Sequence, residues 1–286
     1  MENTINEIHL SDIELENSPS FRGTITIGEK KYIIKKDLPI SEHITSHLMG
    51  LMGIPVQKTS LALLDGRPVV LCEDSMPRDM KYIPGVKLFE ELFPDEDIRN
   101  SYGPLHLKKV LKHYLGDGAH EALLLIAFKS IFDCVVKQED FGPEKWGILQ
   151  GEKVYLAPFH DNALSLIQLM KAIDERSFSF EKAIYYAIGE FWTPFISFKN
   201  GYFEAKEGFE DITAEAIGSF KKNYTVENFC SFVKETISDA YQYINIEKEA
   251  GMFLYAALIL RYLHVIEGIG KDELLEVANG LPLYQQ

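Results

Sequence analysis

Cysteine is scarce in this chain: its 286 residues hold three, Cys72, Cys134 and Cys230, far apart and each among apolar neighbours. An odd count without paired spacing argues against a disulfide framework or a cysteine-built zinc site, and it points to buried thiols in a reducing compartment. Basic charge is also short. Lys and Arg number 29 against 43 Asp and Glu, a formal charge of 14 net negative, whereas a general nucleic-acid binder needs a basic surface to displace counterions from phosphates. No nucleic acid is expected as a direct partner.

Membrane signals are missing as well. The start, MENTINEIHLSDIELE, is acidic and has no apolar h-region, so it does not read as a secretory signal. The apolar stretch EALLLIAFKSIFDCVV is interrupted by Lys129 and Asp133 and is too short to span a bilayer. No internal repeat and no low-complexity tract is evident. What is present suits a globular fold: apolar residues make up 46% and aromatics 12%, enough for a sizeable core. The expectation is a soluble, cytoplasmic protein without a membrane partner, of two domains or of one domain with two lobes.

From Phe21 to Met76 the pattern is strand-like, broken once by a helix. GTITIG and KKYIIKK alternate β-branched with polar residues about Gly28-Glu29, which predicts a hairpin. SEHITSHLMGLMG repeats apolar residues at helical spacing, with Ser41 as the predicted N-cap and Gly53 as the stop. VQKTSLALLDGRPVVLCED returns to strands about Asp65-Gly66, a strong short-range hairpin signal. After MPRDMKYIPG amphipathic helices dominate, predicted over Leu105–Leu115, His120–Lys137, Phe180–Gly189, Val226–Tyr243 and Glu247–Gly268. KWGILQGEKVYLAPF alternates like a hairpin standing alone among them. FWTPFISFKNGYFE, Phe191 to Glu204, reads as helical-part core plus a turn at Asn200-Gly201, or as a partner groove. The layout is α+β and bilobal: a β-rich unit with one helix over 1–80, and a mostly helical unit carrying one hairpin over 81–286. That is the arrangement of a protein-kinase-like fold, and fold alone does not establish function.

Phosphoryl transfer from ATP asks a protein for positioning and charge. It needs a lysine on the phosphates, a helix glutamate to hold that lysine, an aspartate by the acceptor hydroxyl, and oxygen ligands for magnesium. Lys35 ends the strand YIIK and Glu42 opens the next helix, so packing would bring them together. As a pattern alone the pair carries little, because both residue types are common on any surface. Asp161 ends the strand VYLAPFHD, where a metal-binding carboxylate is commonly presented, and turn aspartates are common there too. Asp140 lies after the long helix and before the hairpin, the place of a catalytic-loop aspartate. The tripeptide DFG at Asp140–Gly142 is a coincidence of letters, since a magnesium-binding aspartate follows the hairpin.

At these residues the sequence resembles the HipA-like kinase family, in particular its compact serine/threonine kinases. Four blocks carry the resemblance, roughly over Tyr32 to Leu166: YIIK, SEHITSHLMGLMGIPVQKTSLALLDGRPVVLCED, FDCVVKQEDFGPEKWGIL and YLAPFHDNALSL. In that family the third block reads like N-x-D-R-H-x-x-N-W-G and the fourth like L-A-P-I-F-D-x-G-x-S. Matching back from Trp146-Gly147 implies Asp140 as the catalytic-loop aspartate, Asp161 as the magnesium aspartate, Lys35 as the phosphate lysine and Glu42 as its helix partner. The strand VVLCED falls where the family holds adenine, implying Cys72, Glu73 and Asp74 as nucleotide contacts, with Gly23 the one glycine between the first strands. The resemblance implies ATP and magnesium as cofactors. It also implies a protein Ser or Thr as acceptor, and a toxin held by an antitoxin-like partner protein.

The departures bear on activity. Phe141 and Gly142 stand in the Arg-His places, and Lys145 stands where the family has a magnesium-ligating asparagine. An ammonium has only donors and cannot coordinate a cation. Either Lys145 neutralises phosphate and stands in for a metal, or the protein is a pseudokinase that binds nucleotide or protein without turnover. Ser18 and Ser20, beside Pro19, are candidate autophosphorylation serines on the resemblance and ordinary loop serines on composition. A metal hydrolase built on His43, His47 and His160 is a third reading, resting on the four-residue spacing of the first two. The blocks on either side favour ordinary surface or core histidines.

Overall fold

The computed structural model describes residues 7–9, 14–15, 22–74, 77, 79–97, 102–140, 142–199, 201–241 and 248–280. Alternating β-branched sequence near the N-terminus forms strands β1 (Glu7–Ile8), β2 (Glu14–Leu15), β3 (Arg22–Ile27), β4 (Lys30–Lys35), β5 (Thr59–Leu64) and β6 (Arg67–Glu73). They make one sheet in the order β1-β5-β6-β4-β3-β2. The β5–β6 hairpin turns at Asp65 (φ 47°) and Gly66 (φ 76°), the doubly left-handed turn whose twist matches its strands.

The period-2 rule places successive side chains on opposite faces of the sheet. Leu61, Val70 and Cys72 join the main core with Ile44 and Leu48 of helix α1 (Pro39–Leu51). Ile34, Ala62, Leu64, Val69 and Leu71 form a second apolar cluster on the other side. The start of α1 departs from the sequence reading. Pro39, whose fixed φ suits a first turn, begins the helix after Leu38 at φ 48°, and no side chain caps it. Ser41 lies inside the helix and donates its hydroxyl to Ser165 O. Gly53, at φ 67°, follows the helix end as predicted.

The chain then runs through β7 (Lys81–Pro84), α2 (Gly85–Leu92), α3 (Pro104–Leu115), α4 (Ala119–Val136), β8 (Gly147–Gln150), β9 (Val154–Leu156), α5 (Ile167–Asp174) and α6 (Phe180–Ile188). It continues with β10 (Phe191–Trp192), β11 (Ile196–Lys199), β12 (Tyr202–Ala205), α7 (Glu210–Asn223), α8 (Val226–Tyr241), α9 (Lys248–Tyr262) and α10 (Lys271–Gly280). The five predicted helices are present within a few residues. Two sheets differ from the expectation. The β8–β9 hairpin is not alone, because β7 pairs along β8 with Pro84 opposite Gly147; a Cβ on Gly147 would lie 2.3 Å from Ile83 O. The aromatic-rich segment is a small antiparallel sheet, β10-β11-β12, with Phe198 buried and Trp192 and Tyr202 exposed. Aromatic residues are of the type enriched in strands, a signal that the helical reading of this segment passed over. The three cysteines form no disulfide, with Cys72 and Cys134 buried and Cys230 half-buried.

Among the described residues one helix, α9 with its continuation to Glu267, is long and apolar enough to cross a membrane. It is 20 residues long, an 18-residue window of it has mean hydropathy 1.4, and 83% of that window is buried inside the fold, as in a core helix. Its Arg261 is fully buried and faces carbonyls instead of a carboxylate. Nε donates to Cys134 O at 2.9 Å, and Nη1 donates to Ala187 O at 2.8 Å and to Gly189 O. These are last-turn carbonyls of α4 and α6, left without intrahelical partners and at the negative ends of the helix dipoles. One cation thus ties off two helices. Replacing it with an apolar side chain strands several buried acceptors at roughly 1–3 kcal/mol each. Arg261→Leu should therefore lower Tm by about 6–12 °C in a calorimetric scan, on a scale of about 2–4 °C per kcal/mol.

Candidate functional site

The long helix α4 ends where Lys137 adopts φ 50°, with its amide still bonded to Asp133 O. That left-handed residue turns the chain, and Gln138 to Asp140 lead away toward β8. On the other flank β9 stops at Leu156, short of Asp161, which the sequence reading put at the strand's end, and the chain continues to Phe159, which is zipped to the segment before β5. Phe159 N donates to Pro55 O at 2.9 Å, and Gln57 N to Phe159 O at 2.8 Å. His160 and Asp161 therefore emerge directly beneath the six-stranded sheet. Asp161 itself takes φ 62°, a conformation that aspartate tolerates better than most side chains. Its carbonyl is held by Gln138 Nε2 at 3.2 Å, and Ser165 Oγ fixes Gln138 Oε1 at 2.8 Å.

Between sheet and hairpin lies a cavity of about 490 Å³. Ile33, Leu149 and Ala157 give it apolar walls, and Lys35, Lys145 and Asp161 line it with charge. Lys35 reaches it because strand alternation puts Ile33 and Lys35 on the same face while Ile34 points into the opposite cluster. Beside Asp140 is a smaller hollow of about 40 Å³ that Ser130, Asp133, Gln138 and Phe195 help to line.

The charged groups form one alternating chain. Glu42, fully buried, contacts Lys35 Nζ at 3.2 Å, and Lys35 contacts Asp161 Oδ1 at 3.0 Å. Lys145 Nζ contacts Asp161 Oδ2 and, at 2.7 Å, Asp140 Oδ2. Glu42 Oε1 also accepts from the amide of Asn162 at 3.0 Å, so the helix glutamate holds the backbone beside Asp161 as well as the lysine. Burial pushes the Asp161 carboxyl up, but the Lys35 and Lys145 ammoniums outweigh it and hold it well below the usual carboxylate range. Burial likewise works against charge on both lysines, and the carboxylates overcome it: Glu42 and Asp161 raise Lys35, and Asp140 and Asp161 raise Lys145. His160 goes the other way, pushed down to about 4 by burial, with Lys35 and Lys145 opposing its protonation.

Lys35, Glu42, Asp140, Lys145 and Asp161 therefore come together. Glu73 and Asp74 line the cavity, although their amides are committed to Lys58 O and Lys31 O at 2.9 and 2.8 Å. Cys72 faces the main core. Gly23 sits within the sheet, between Leu15 and Ile34, and is not among the cavity-lining residues. Ser18, Ser20 and Phe141 fall outside the described residues. The three-histidine hydrolase reading fails: His160 Nε2 bonds Tyr82 OH at 2.9 Å in the cleft wall, whereas His43 bonds Thr59 and Asp239 away from it. Sequence reasoning missed Gln138, Asn162 and Ser165. Only the family's serine in the fourth block pointed toward any of them.

Asp161 offers carboxylate oxygens of the kind magnesium takes, each of them in contact with an ammonium here. The ammonium of Lys145 between Asp161 and Asp140 does not suit a second magnesium.

The Asp161 shift fixes a sign. A carboxyl held below its unfolded pKa contributes stability that is present above about pH 4 and fades as the pH falls further. Lys145→Met removes one of the two ammoniums that hold it down. The variant should be less stable than the parent by about 1–3 kcal/mol at pH 7, and the gap in Tm should narrow as the pH falls from 4 to 2.5. A gap independent of pH would contradict the pairing.

No protein-family model matches the chain, and no curated protein matches it. Among solved structures it is similar to the Helicobacter pylori proinflammatory kinase CtkA, with TM-score 0.72 and 13% identity over 98% of this chain and 99% of that one. It also matches HipA of Shewanella oneidensis MR-1, from a complex with HipB and operator DNA, with TM-score 0.45 and 14% identity over 93% of this chain and 65% of that one. At 13% identity the likeness to CtkA carries fold alone, and the chain has a HipA/CtkA-like kinase fold.

Proposed function

We propose that this protein binds ATP in the cavity beneath its sheet and transfers the terminal phosphoryl group to a Ser or Thr hydroxyl of another protein. The carrying observation is the unbroken chain Glu42–Lys35–Asp161–Lys145–Asp140 at the floor of a nucleotide-sized cavity. Residues 1–80 act as the nucleotide-covering lobe and 81–286 as the helical lobe. The base lies between Ile33 above and Leu149 and Ala157 below, and the Glu73–Asp74 strand end borders its edge. Lys35, kept charged and aimed by Glu42, contacts the phosphates. Magnesium at Asp161 would neutralise phosphate oxygens. Lys145 carries a further positive charge where a second ion would otherwise be needed.

Asp140 faces the smaller hollow and orients the acceptor there. At about 40 Å³ the hollow has room for a hydroxymethyl-sized group, since about 10–15 Å³ of such space holds one water. The acceptor oxygen bonds to the terminal phosphorus, the bond to the bridging oxygen breaks, ADP leaves, and the hydroxyl proton passes to Asp140. The resemblance in sequence extends this to a cytoplasmic toxin controlled by an antitoxin-like protein.

A second reading is favoured by one contact. Lys145 bonds both carboxylates at once, and a cation that never leaves them would give a nucleotide- or protein-binding module without turnover. Thermal shift with ATP, with and without magnesium, and transfer of radiolabelled phosphate to protein separate the readings. ATP should raise Tm in the parent protein and in Asp140→Asn, but not in Lys35→Ala or Asp161→Asn. Labelling should fall about 10²–10⁴-fold in Asp140→Asn. An ATP shift without labelling in the parent, with labelling gained in Lys145→Asn, supports the second reading. No shift at all overturns phosphoryl transfer and nucleotide binding alike and leaves only the protein-binding module.

A further inference from the structure

Outside the cleft, helices α1 and α8 pack together, and each turns a pair of metal-capable side chains, four residues apart, toward the other. From α1 come His43 and His47; from α8 come Glu235 and Asp239. Four-residue spacing puts both members of a pair on one helix face. The pairs meet in register: His43 Nε2 lies 2.9 Å from Asp239 Oδ2, and His47 Nε2 lies 4.0 Å from Glu235 Oε1. One ligand atom from each of His43, His47 and Asp239 can be chosen so that all lie within 4.8 Å of one another. Bonds of about 2.0–2.2 Å to a tetrahedral ion place ligand atoms roughly 3.3 Å apart, so small side-chain rotations close the set.

The surroundings fit the same purpose. His43 is 1% exposed, and its second nitrogen, Nδ1, lies 3.2 Å from Thr59 Oγ1 at the start of β5. A hydrogen bond on one ring nitrogen fixes the tautomer that presents the other to a metal, and such outer partners are a regular part of metal sites. Asp239, at 39% exposure, and Glu235, at 60%, leave the other side open for an ion to enter.

We infer that His43, His47 and Asp239, with Glu235 as the fourth donor, form a site for a divalent transition metal of the zinc class, where the ion bridges α1 and α8. Two imidazoles and two carboxylates suit zinc or cobalt and disfavour magnesium or calcium, which prefer all-oxygen sets. The inference does not rest on phosphoryl transfer. It does fasten the helix that carries Glu42, one residue before His43, to the helical part of the molecule.

The test uses the full chain stripped by chelator and titrated with Co²⁺, which reports four-coordinate binding by visible absorption. A parallel thermal shift uses Zn²⁺. The parent should take up one equivalent and gain about 5–10 °C in Tm at an ion concentration one hundred times Kd. His47→Gln and Asp239→Asn, at part-exposed positions where folding can be checked by circular dichroism, should abolish the absorption. Thr59→Val should weaken uptake about 10–100-fold. Asp161→Asn should leave uptake unchanged, which separates this site from the cleft. Absence of stoichiometric uptake in the parent, meaning that His43 and Asp239 form only an ion pair, overturns the inference. So does uptake that survives the His47→Gln, Asp239→Asn double variant.

Discussion

Alternation of sign is the constraint on which the cleft depends. Glu42, Lys35, Asp161, Lys145 and Asp140 follow one another as acid, base, acid, base, acid, and each interior member touches only groups of opposite sign. Charges this far from bulk water are costly unless paired and hydrogen-bonded. Here the two ends also have support: the amide of Asn162 bonds the Glu42 carboxylate, and Asp140 remains half-exposed. The arrangement draws on a strand end, a helix, a loop after a helix and the end of a hairpin, so it forms only when sheet and helical part are in place together.

The backbone around the cleft is shaped to that end. Lys137 and Asp161 both take left-handed conformations, one turning the chain out of α4 and the other turning it after β9. Strained positions of this kind persist where surrounding contacts over-determine them. Lys137 has its amide bonded back to Asp133, and Asp161 has its carbonyl held by Gln138. Arg261 reinforces the first of these turns from behind through Cys134 O, so the α9 helix, remote in sequence, helps to decide where Asp140 stands.

Much of this was legible in the chain because it rests on local pattern. The hairpin turns, the helix that carries Glu42, the long helix before Asp140 and the strand leading to Asp161 each follow from periodicity and turn chemistry within a dozen residues. The chemical oddity of Lys145 was legible too, since a donor-only group cannot ligate a cation. What escaped depends on partners far away. Asn162 meets Glu42 across 120 residues and His43 meets Asp239 across 196, distances over which no spacing rule operates. Ser41 read as a cap because its letter suits one, and the fold used its hydroxyl on Ser165 instead. The β10–β12 sheet escaped because its aromatic residues read as helical-lobe core, although aromatic residues are enriched in strands.

Lys145 has one more consequence. A bound ion is a population: it dissociates, competes with other ions and varies with its supply. An ammonium on a four-carbon tether is none of these things, since it is made with the polypeptide at one copy per site and no chelator removes it. The positive charge between Asp140 and Asp161 is therefore inherited with the chain, and its presence does not depend on whether the surroundings are rich or poor in divalent ions.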